Sequence, residues 1–253
     1  MITDSLVFLG DSIFGDSITT GALLARLDEV GIERAVVCPA KPRDYHLAAA
    51  NDTVAAAVRA HPDRLTGLAR VDPLLDEEAQ AELDRGLGEL GLRGLFLHPW
   101  QETFTVNDAR VDGVIEVARA HAVPVMVAAG YPWLSEGLQV GDLAGRYPDV
   151  TFVATNGLQI NMSGLGQVDA ELALGDNDNL LIQTSGVYRE DFIERIVRRH
   201  GPERVMFASA FPNFDPALEL RRVQWAAFSS DEQEAMLNDN AARLFETPRV
   251  ALR

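Results

Sequence analysis

The sequence has few cysteines and few basic residues, and each shortage excludes a class of function. Cys38 is the single cysteine among 253 residues, so no internal disulfide can form and no thiol pair is available for redox chemistry or zinc. Acidic residues outnumber basic residues by 38 to 22, which gives a formal net charge of −16. A protein this acidic repels phosphate backbones and anionic lipid, so we expect neither nucleic acid nor membrane as a partner.

Long apolar runs are also absent. The longest apolar stretches have the length of a strand, far short of the roughly 20 residues that cross a bilayer. The opening segment MITDSLVFLGDS carries acid where a signal peptide carries base. We therefore expect a cytoplasmic protein. Its 47% hydrophobic and 24% charged residues are typical of a folded globular chain.

The sequence does contain a repeating unit. Each copy has a helical stretch, a short turn with Gly, Pro or Asp, and then a short apolar run rich in β-branched residues. The copies lie at 27–39, 59–73, 87–99, 118–130, 144–157, 174–186 and 198–212. Together with an opening strand over 5–10, the pattern predicts eight strands.

The strands and the segments between them indicate the fold. Continuous apolar runs favour strands buried on both faces of a parallel sheet, and amphipathic helices are predicted at 52–61, 77–90, 112–121 and 191–200. Eight such units predict a single-domain TIM (β/α)8 barrel over residues 1–253. A doubly wound open sheet is the alternative, although it needs a topological switch and has fewer strands. The tail from Ser229 predicts a capped helix that closes the barrel.

A family resemblance rests on the blocks VGIERAVVCP, AHPDRLTGLARVDP, LGLRGLFLHP, RYPDVTFVATNG, GPERVMFASAFP and DNAARLF. In these blocks and their order, the chain resembles the amidohydrolase-related family of metal-dependent hydrolases and decarboxylases. The resemblance covers nearly the whole chain and implies a TIM barrel. It also implies a metal site with a His-x-His pair on strand one, histidines ending strands five and six, and an aspartate ending strand eight.

The sequence departs from that family pattern at every ligand position. Strand one has Leu6 and Phe8 in place of the two histidines, and strand five ends at Ala128. Strand six ends at Asn156, and strand eight has Ala210 in place of the aspartate. A zinc site needs about three His, Asp, Glu or Cys ligands. We therefore predict no metal and no other cofactor, and we expect Leu6 and Phe8 to fill part of the space that the metal site would occupy.

Three residues near the predicted strand ends are the catalytic candidates, since TIM-barrel chemistry lies there. His98 comes first because an imidazole exchanges protons near neutral pH, and the alternative is a structural histidine bound to a loop carbonyl. Lys41, the single lysine, has the chemistry for a Schiff base or proton transfer, unless it is a surface residue. Asp11 is a candidate base or a turn and cap residue.

Six further strand-end residues are predicted to bind a substrate: Arg70, Trp100, Tyr131, Asn156, Gln183 and Ser209. The guanidinium of Arg70 suits a substrate carboxylate, although a pair with Asp72 or another acid of the chain would use the same atoms. A wider polar and aromatic set completes the predicted pocket: Arg43, Asp44, Tyr45, His46, Glu102, Trp133, Gln159, Asn161, Ser185, Tyr188 and Asn213.

These features predict an enzyme of lyase, isomerase, dehydratase or cyclase type that transfers protons on a small organic molecule without a metal ion. The first alternative is a non-catalytic binding or scaffold protein. The second is a hydrolase or decarboxylase whose ligands lie outside the family pattern. A homodimer held by local apolar patches is a further expectation, carried over from similar proteins.

Overall fold

The structure, a computed structural model, describes residues 1–160 and 164–246. The strands are β1 (Thr3–Asp11), β2 (Ser17–Ile18), β3 (Arg34–Pro39), β4 (Leu65–Gly67), β5 (Ala69–Arg70), β6 (Leu95–Leu97), β7 (Val125–Val127), β8 (Phe152–Ala154), β9 (Leu180–Gln183) and β10 (Val205–Met206). The α-helices are α1 (Thr20–Val30), α2 (Leu47–Ala60), α3 (Asp76–Gly88), α4 (Pro99–Glu102), α5 (Asp112–Ala120), α6 (Gly137–Arg146), α7 (Gly164–Asp176), α8 (Glu190–His200), α9 (Pro216–Trp225) and α10 (Ser230–Glu234). Short 3₁₀ turns cover Pro73–Leu75, Ala109–Val111, Thr155–Leu158 and Pro202–Arg204, and π-helical turns cover Ala235–Asp239 and Ala242–Glu246.

The strands close into a barrel. β1, β3 and β4 pair in parallel, β5 to β10 pair in parallel in chain order, and β2 adds an antiparallel edge to the end of β1. β4 and β5 form one barrel strand, because the amide of Leu68 between them donates to the carbonyl of Val37 at 2.9 Å. The ring closes where Ala210 N donates to Leu6 O at 2.9 Å. The predicted TIM barrel is confirmed, and the open-sheet alternative is wrong.

Side chains of each strand alternate between the barrel interior and the helix layer. The outward set packs against the helices in the larger core, and the separate inner core contains Leu6, Phe8, Val36, Cys38, Leu68, Phe96, Met126, Val153, Leu181 and Met206. This burial on both faces explains the continuous apolar runs of the sequence. Cys38 packs as a small apolar residue, and its burial raises the pKa of the thiol.

The helix after Ser229 closes one end of the barrel. Ser229 Oγ accepts from Glu232 N at 3.3 Å and Glu232 Oε2 accepts from Ser229 N at 2.7 Å, which is the capping box expected from the sequence. Thr3 Oγ1, at the start of β1, donates to Asn238 Oδ1 at 3.2 Å, and Phe245 joins the inner core. The predicted closing helix is confirmed.

The helix layer carries three of the five histidines, as the sequence predicts. His61 and His121 follow α2 and α5, and His200 is the last residue of α8. His121 Nε2 lies 2.7 Å from Asp84 Oδ1. These three positions precede the next strand, on the side opposite the strand carboxyl ends. In the described part of the chain, no helix combines the length and apolarity needed to cross a bilayer.

Candidate functional site

A cavity of ≈ 270 Å³ lies at the carboxyl ends of the barrel strands, and we call it the barrel-mouth cavity. Its lining comprises Leu6, Phe8, Phe14, Phe96, His98, Trp100, Gln101, Ala128, Tyr131, Thr155, Asn156, Ile160, Gly186, Tyr188, Ala210, Asn213 and Phe214. Four of the predicted site residues therefore meet here: His98, Trp100, Tyr131 and Asn156. No Asp, Glu, Lys or Arg is among the lining residues that the structure describes.

His98 joins the end of β6 to the short helix α4. Pro99 follows it at the first helical position, where a missing N–H costs nothing, so the helix starts directly after the imidazole. The side chain is 5% exposed and packs against Phe96 and Tyr131, with ring centroids 5.9 Å and 5.4 Å away. Nδ1 is buried and has no hydrogen-bond partner among the described residues.

The surroundings of His98 hold the imidazole neutral. Burial lowers its pKa well below the usual 6.5, and the positive charges of Arg70 and Lys41 lower this pKa further. At neutral pH the ring is therefore a proton acceptor. The alternative of a histidine held by a loop carbonyl has no such contact for Nδ1 in the described chain.

Three aromatic rings form one wall of the cavity. Phe14 and Trp100 stack with centroids 6.0 Å apart and planes at 14°, and Trp100 and Tyr131 stack at 5.6 Å and 10°. Trp100 is half-exposed, so its ring is accessible from the cavity. Burial raises the pKa of Tyr131, which keeps its hydroxyl protonated at neutral pH. The wall is aromatic and apolar, and Tyr131 adds a hydroxyl to it.

Lys41, Arg70 and Glu102 form a buried group beside the cavity, which we call the ion cluster. Glu102 Oε1 lies 2.8 Å from Arg70 Nη2 and 3.2 Å from Lys41 Nζ, and all three side chains are buried. Gln101 joins the cluster to the cavity wall, because its side-chain oxygen accepts from Arg70 Nη2 and its carbonyl accepts from Lys41 Nζ, both at 2.5 Å. Two cations and one carboxylate leave the cluster with a net positive charge.

The ion cluster corrects two sequence expectations. Lys41 is buried, so the interpretation as a surface lysine is wrong. Arg70 pairs with Glu102, an acid of the chain, which was the alternative to substrate binding. Neither cation lines the barrel-mouth cavity, although both border an adjoining cavity of ≈ 30 Å³.

Gln183 and Ser209 do not reach the cavity, against expectation. Gln183 Nε2 donates to the carbonyl and the hydroxyl of Ser5 at 3.0 Å and 2.7 Å. Ser209 Oγ donates to Asp4 Oδ2 at 2.5 Å, and burial raises the pKa of Asp4 to about 6. Both side chains are fully buried and bind the first strand across the barrel closure. Their contacts join the ends of the barrel, and neither side chain lines the cavity.

The remaining candidates divide between cavity and surface. Asp11 ends β1, is exposed and accepts from Ser17 Oγ of the paired strand β2 at 2.6 Å, outside the cavity. His46 is also exposed and borders a separate groove. Tyr188 and Asn213 line the barrel-mouth cavity, whereas Trp133 does not. Asn161 lies outside the described residues.

Several lining residues were missed by sequence reasoning. Phe14, Ile160 and Phe214 are apolar loop residues, and a sequence contains no local signal that such residues return to a pocket. Thr155 is different, because it directly follows the apolar run of β8 and a strand-end rule would have found it. Gln101 would have required the short helix α4 to be recognised.

The metal site implied by the family resemblance does not fit the residues present. The cavity wall has Leu6, Phe8, Ala128 and Ala210 at four of the ligand positions, and Asn156 offers an amide at another. No three His, Cys, Asp or Glu side chains of the described chain come together in a way that holds a metal ion. Leu6 and Phe8 belong to the inner core, as expected, and occupy the floor of the cavity.

Solved structures with the same architecture have low sequence identity to this chain. A 5-carboxyvanillate decarboxylase from Sphingomonas paucimobilis has a TM-score of 0.78 at 19% identity, over 98% of this chain and 99% of that one. A 2,6-dihydroxybenzoate decarboxylase from Rhizobium has 0.74 at 16%, over 97% and 99%. A 4-oxalomesaconate hydratase from Rhodopseudomonas palustris has 0.72 at 18%, over 97% and 96%. At these identities the likeness shows a shared fold alone.

Sequence comparison identifies the family. A search of curated proteins finds no match. The family model described as amidohydrolase matches residues 18–247, which is most of the chain. With its barrel and its similarity to solved amidohydrolase-fold decarboxylases, the chain belongs to the amidohydrolase family.

Proposed function

We propose that this chain is a cytoplasmic enzyme that transfers a proton on a small organic molecule in the barrel-mouth cavity, with His98 as the base and without a metal ion. One observation carries the proposal. Among the described lining residues, His98 alone has a side chain of the His, Asp, Glu, Lys or Arg classes, and its lowered pKa keeps the ring neutral at pH 7, the form that a base needs.

The lining around His98 can stabilise an anion that forms during the reaction. A proton taken from a C–H or O–H group of the substrate leaves negative charge on the substrate, and neutral hydrogen-bond donors of the lining can bind the atom that carries this charge. The amides of Asn156 and Asn213 and the hydroxyl of Tyr131 are donors on the same wall. Return of the proton from His98 to a different atom would complete an isomerisation, and loss of a leaving group would complete a lyase step.

The proposal is compatible with the chemistry named for structural relatives. The solved structures of similar fold include decarboxylases and a hydratase, which add or remove a small group at carbon. The donor set described above supports chemistry in which a side chain provides the base.

Hydrogen exchange in D₂O tests the proposal without a known substrate. Small carbonyl compounds with acidic C–H groups are incubated with the protein, and loss of the C–H signal is followed by NMR. We expect exchange with at least one compound and a rate about 100-fold lower for His98→Gln. His46→Gln is the matched control, because His46 is an exposed histidine outside the cavity, and its rate should equal that of the wild type. Equal rates for His98→Gln and the wild type would refute the role of His98.

A binding protein without catalysis is the second candidate. It is favoured by the same single acid–base group, because a cavity lined by aromatic rings and amides is also sufficient for binding alone. The exchange experiment separates the two candidates. Saturable binding of compounds that undergo no exchange would favour the binding protein.

A further inference from the structure

The described lining of the barrel-mouth cavity has no charged side chain when His98 is neutral. None of its described residues is an Asp, Glu, Lys or Arg. The cations that act on His98, Arg70 and Lys41, lie outside this lining. Lys41 Nζ and Arg70 Nη2 are bound to Gln101 and Glu102, Arg70 Nη1 donates to the carbonyl of Pro39, and Arg70 Nε is buried without a partner among the described residues. A charged group on a ligand would thus find no partner of opposite sign on the wall.

The shape of the wall selects for a flat ligand. Phe14 stacks on Trp100 with planes at 14°, Trp100 stacks on Tyr131 with planes at 10°, and Phe8 and Phe96 add apolar surface. A ring gains dispersion energy and favourable quadrupole contacts on such a surface. The cavity volume of ≈ 270 Å³ is just below the range of about 300–1,000 Å³ usual for drug-sized ligands, so the ligand is small.

The polar atoms of the lining are neutral donors and acceptors. Gln101, Asn156 and Asn213 contribute amides, and Thr155 and Tyr188 contribute hydroxyls. Such groups bind carbonyl, hydroxyl and amide substituents well. They compensate a carboxylate poorly, because burial of a charge without an opposite charge costs far more than burial of a neutral polar group.

We infer that the barrel-mouth cavity binds an uncharged, flat ring compound with neutral polar substituents, and that it discriminates against the corresponding carboxylate. This inference rests on the proposed function only in treating the cavity as the substrate site. The sequence expectation that Arg70 binds a substrate carboxylate is thereby replaced, because Arg70 pairs with Glu102 through Nη2 and does not line the cavity.

Matched amide and carboxylate pairs test the inference. The probes are benzamide with benzoate, 4-hydroxybenzamide with 4-hydroxybenzoate, and indole-3-carboxamide with indole-3-carboxylate, titrated near neutral pH by ligand-observed NMR. We expect the amide to bind at least about tenfold more tightly, which corresponds to about 1.4 kcal/mol, in every pair that binds. Equal or tighter binding of the carboxylates, or no binding of any amide at millimolar concentration, would overturn the inference.

Variants connect this preference to the cavity. Trp100→Ala should weaken amide binding, whereas Trp225→Ala, at an exposed tryptophan on α9 outside the cavity, should leave it unchanged. Asn213→Lys adds a cation at the exposed rim and should reduce or reverse the preference. Circular dichroism reports folding, and if Asn213→Lys does not fold, Ile160→Lys places the charge at another exposed rim position. A carboxylate affinity that neither folded lysine variant increases would contradict the inference.

The binding and exchange experiments fail independently. If amides bind preferentially while His98→Gln leaves exchange unchanged, the ligand class stands and the proposed function is wrong. If carboxylates bind preferentially while exchange depends on His98, the proposed function stands and the ligand class is wrong.

Discussion

The barrel-mouth cavity and the ion cluster are neighbours in the barrel, yet they differ in charge. The cavity wall has aromatic rings and neutral amides, whereas the cluster buries two cations and a carboxylate within hydrogen-bond distance. Gln101 belongs to both, since it lines the cavity and accepts hydrogen bonds from Lys41 and Arg70. The comparison teaches that polar residues at strand ends need not face a ligand. Here the charged residues pair with one another, and the two cations of the cluster act on His98 through space.

The largest expected effect comes from adding polar groups to the cavity side of this comparison. Leu6→His with Phe8→His replaces two inner-core side chains and should lower the free energy of unfolding by roughly 5 kcal/mol. The double variant should bind no stoichiometric metal, because the other ligand positions still lack suitable side chains. Denaturant unfolding measures the loss of stability, and elemental analysis measures the metal content. Phe8→His alone is a milder variant for the same two measurements. About one transition metal per chain, or metal-dependent hydrolysis, would contradict the prediction.

A smaller effect is expected from removing charge on the cluster side. Glu102→Gln leaves Arg70 and Lys41 buried without a carboxylate, which should cost about 3 kcal/mol of unfolding free energy. Glu116→Gln is the matched control, because Glu116 pairs with Arg119 at the surface and such pairs contribute at most about 1 kcal/mol. Equal losses in the two variants would show that the cluster contributes no more than an exposed ion pair.

The pH dependence of stability sharpens the link between the two regions. Folding lowers the pKa of His98 below the usual 6.5, so at neutral pH the neutral imidazole contributes to the stability of the fold. As the pH falls below 6.5, His98 is protonated in the unfolded chain before it is protonated in the folded chain, and this stabilisation is lost. Asp4 and Glu219 act in the opposite direction, because burial raises their pKa values to about 6 and about 7, and the stability they contribute at low pH is lost as the pH rises.

Comparison of His98→Gln with the wild type measures how much His98 contributes to the pH dependence of stability. Between about pH 7 and about pH 5, the variant should lose less stability on acidification than the wild type, as measured by urea unfolding at each pH. In the wild type, His98-dependent exchange should stay constant from about pH 6.5 upward, because the imidazole is already neutral there. Exchange that rises through pH 6.5 with the titration of an ordinary histidine would show that the cluster and burial do not lower the pKa.

The smallest effect is expected in self-association, which involves neither region. A homodimer held by local apolar patches stays a prediction, with the acidic surface of the chain, at a net charge of −16, facing solvent. Light scattering at micromolar concentration should give twice the 27.6 kDa chain mass. A monomer mass would remove the prediction and would leave the cavity and cluster unaffected.

Sequence reasoning identified a cavity residue correctly where the residue type and its position near the end of a strand were sufficient. His98 and Asn156 follow apolar runs, and Trp100 in α4 and Tyr131 in a loop come just after such runs, so all four reach the cavity as the strand-end rule requires. The same rule was insufficient for Gln183 and Ser209, because it says nothing about partners. Their partners are 178 and 205 residues away, on the first strand.

The sequence by itself determined the barrel and the side chains at the family's ligand positions. Strand and helix periods are local, and the identity of a residue such as Ala128 or Ala210 is independent of packing. Only the tertiary structure decided which polar groups meet a ligand and which meet each other. Arg70 and Glu102 are 32 residues apart, and their pairing depends on how β5 and α4 lie across the barrel. Because charges separated in sequence find partners only after the strands close, the neutral cavity and the buried ion cluster are properties of the fold.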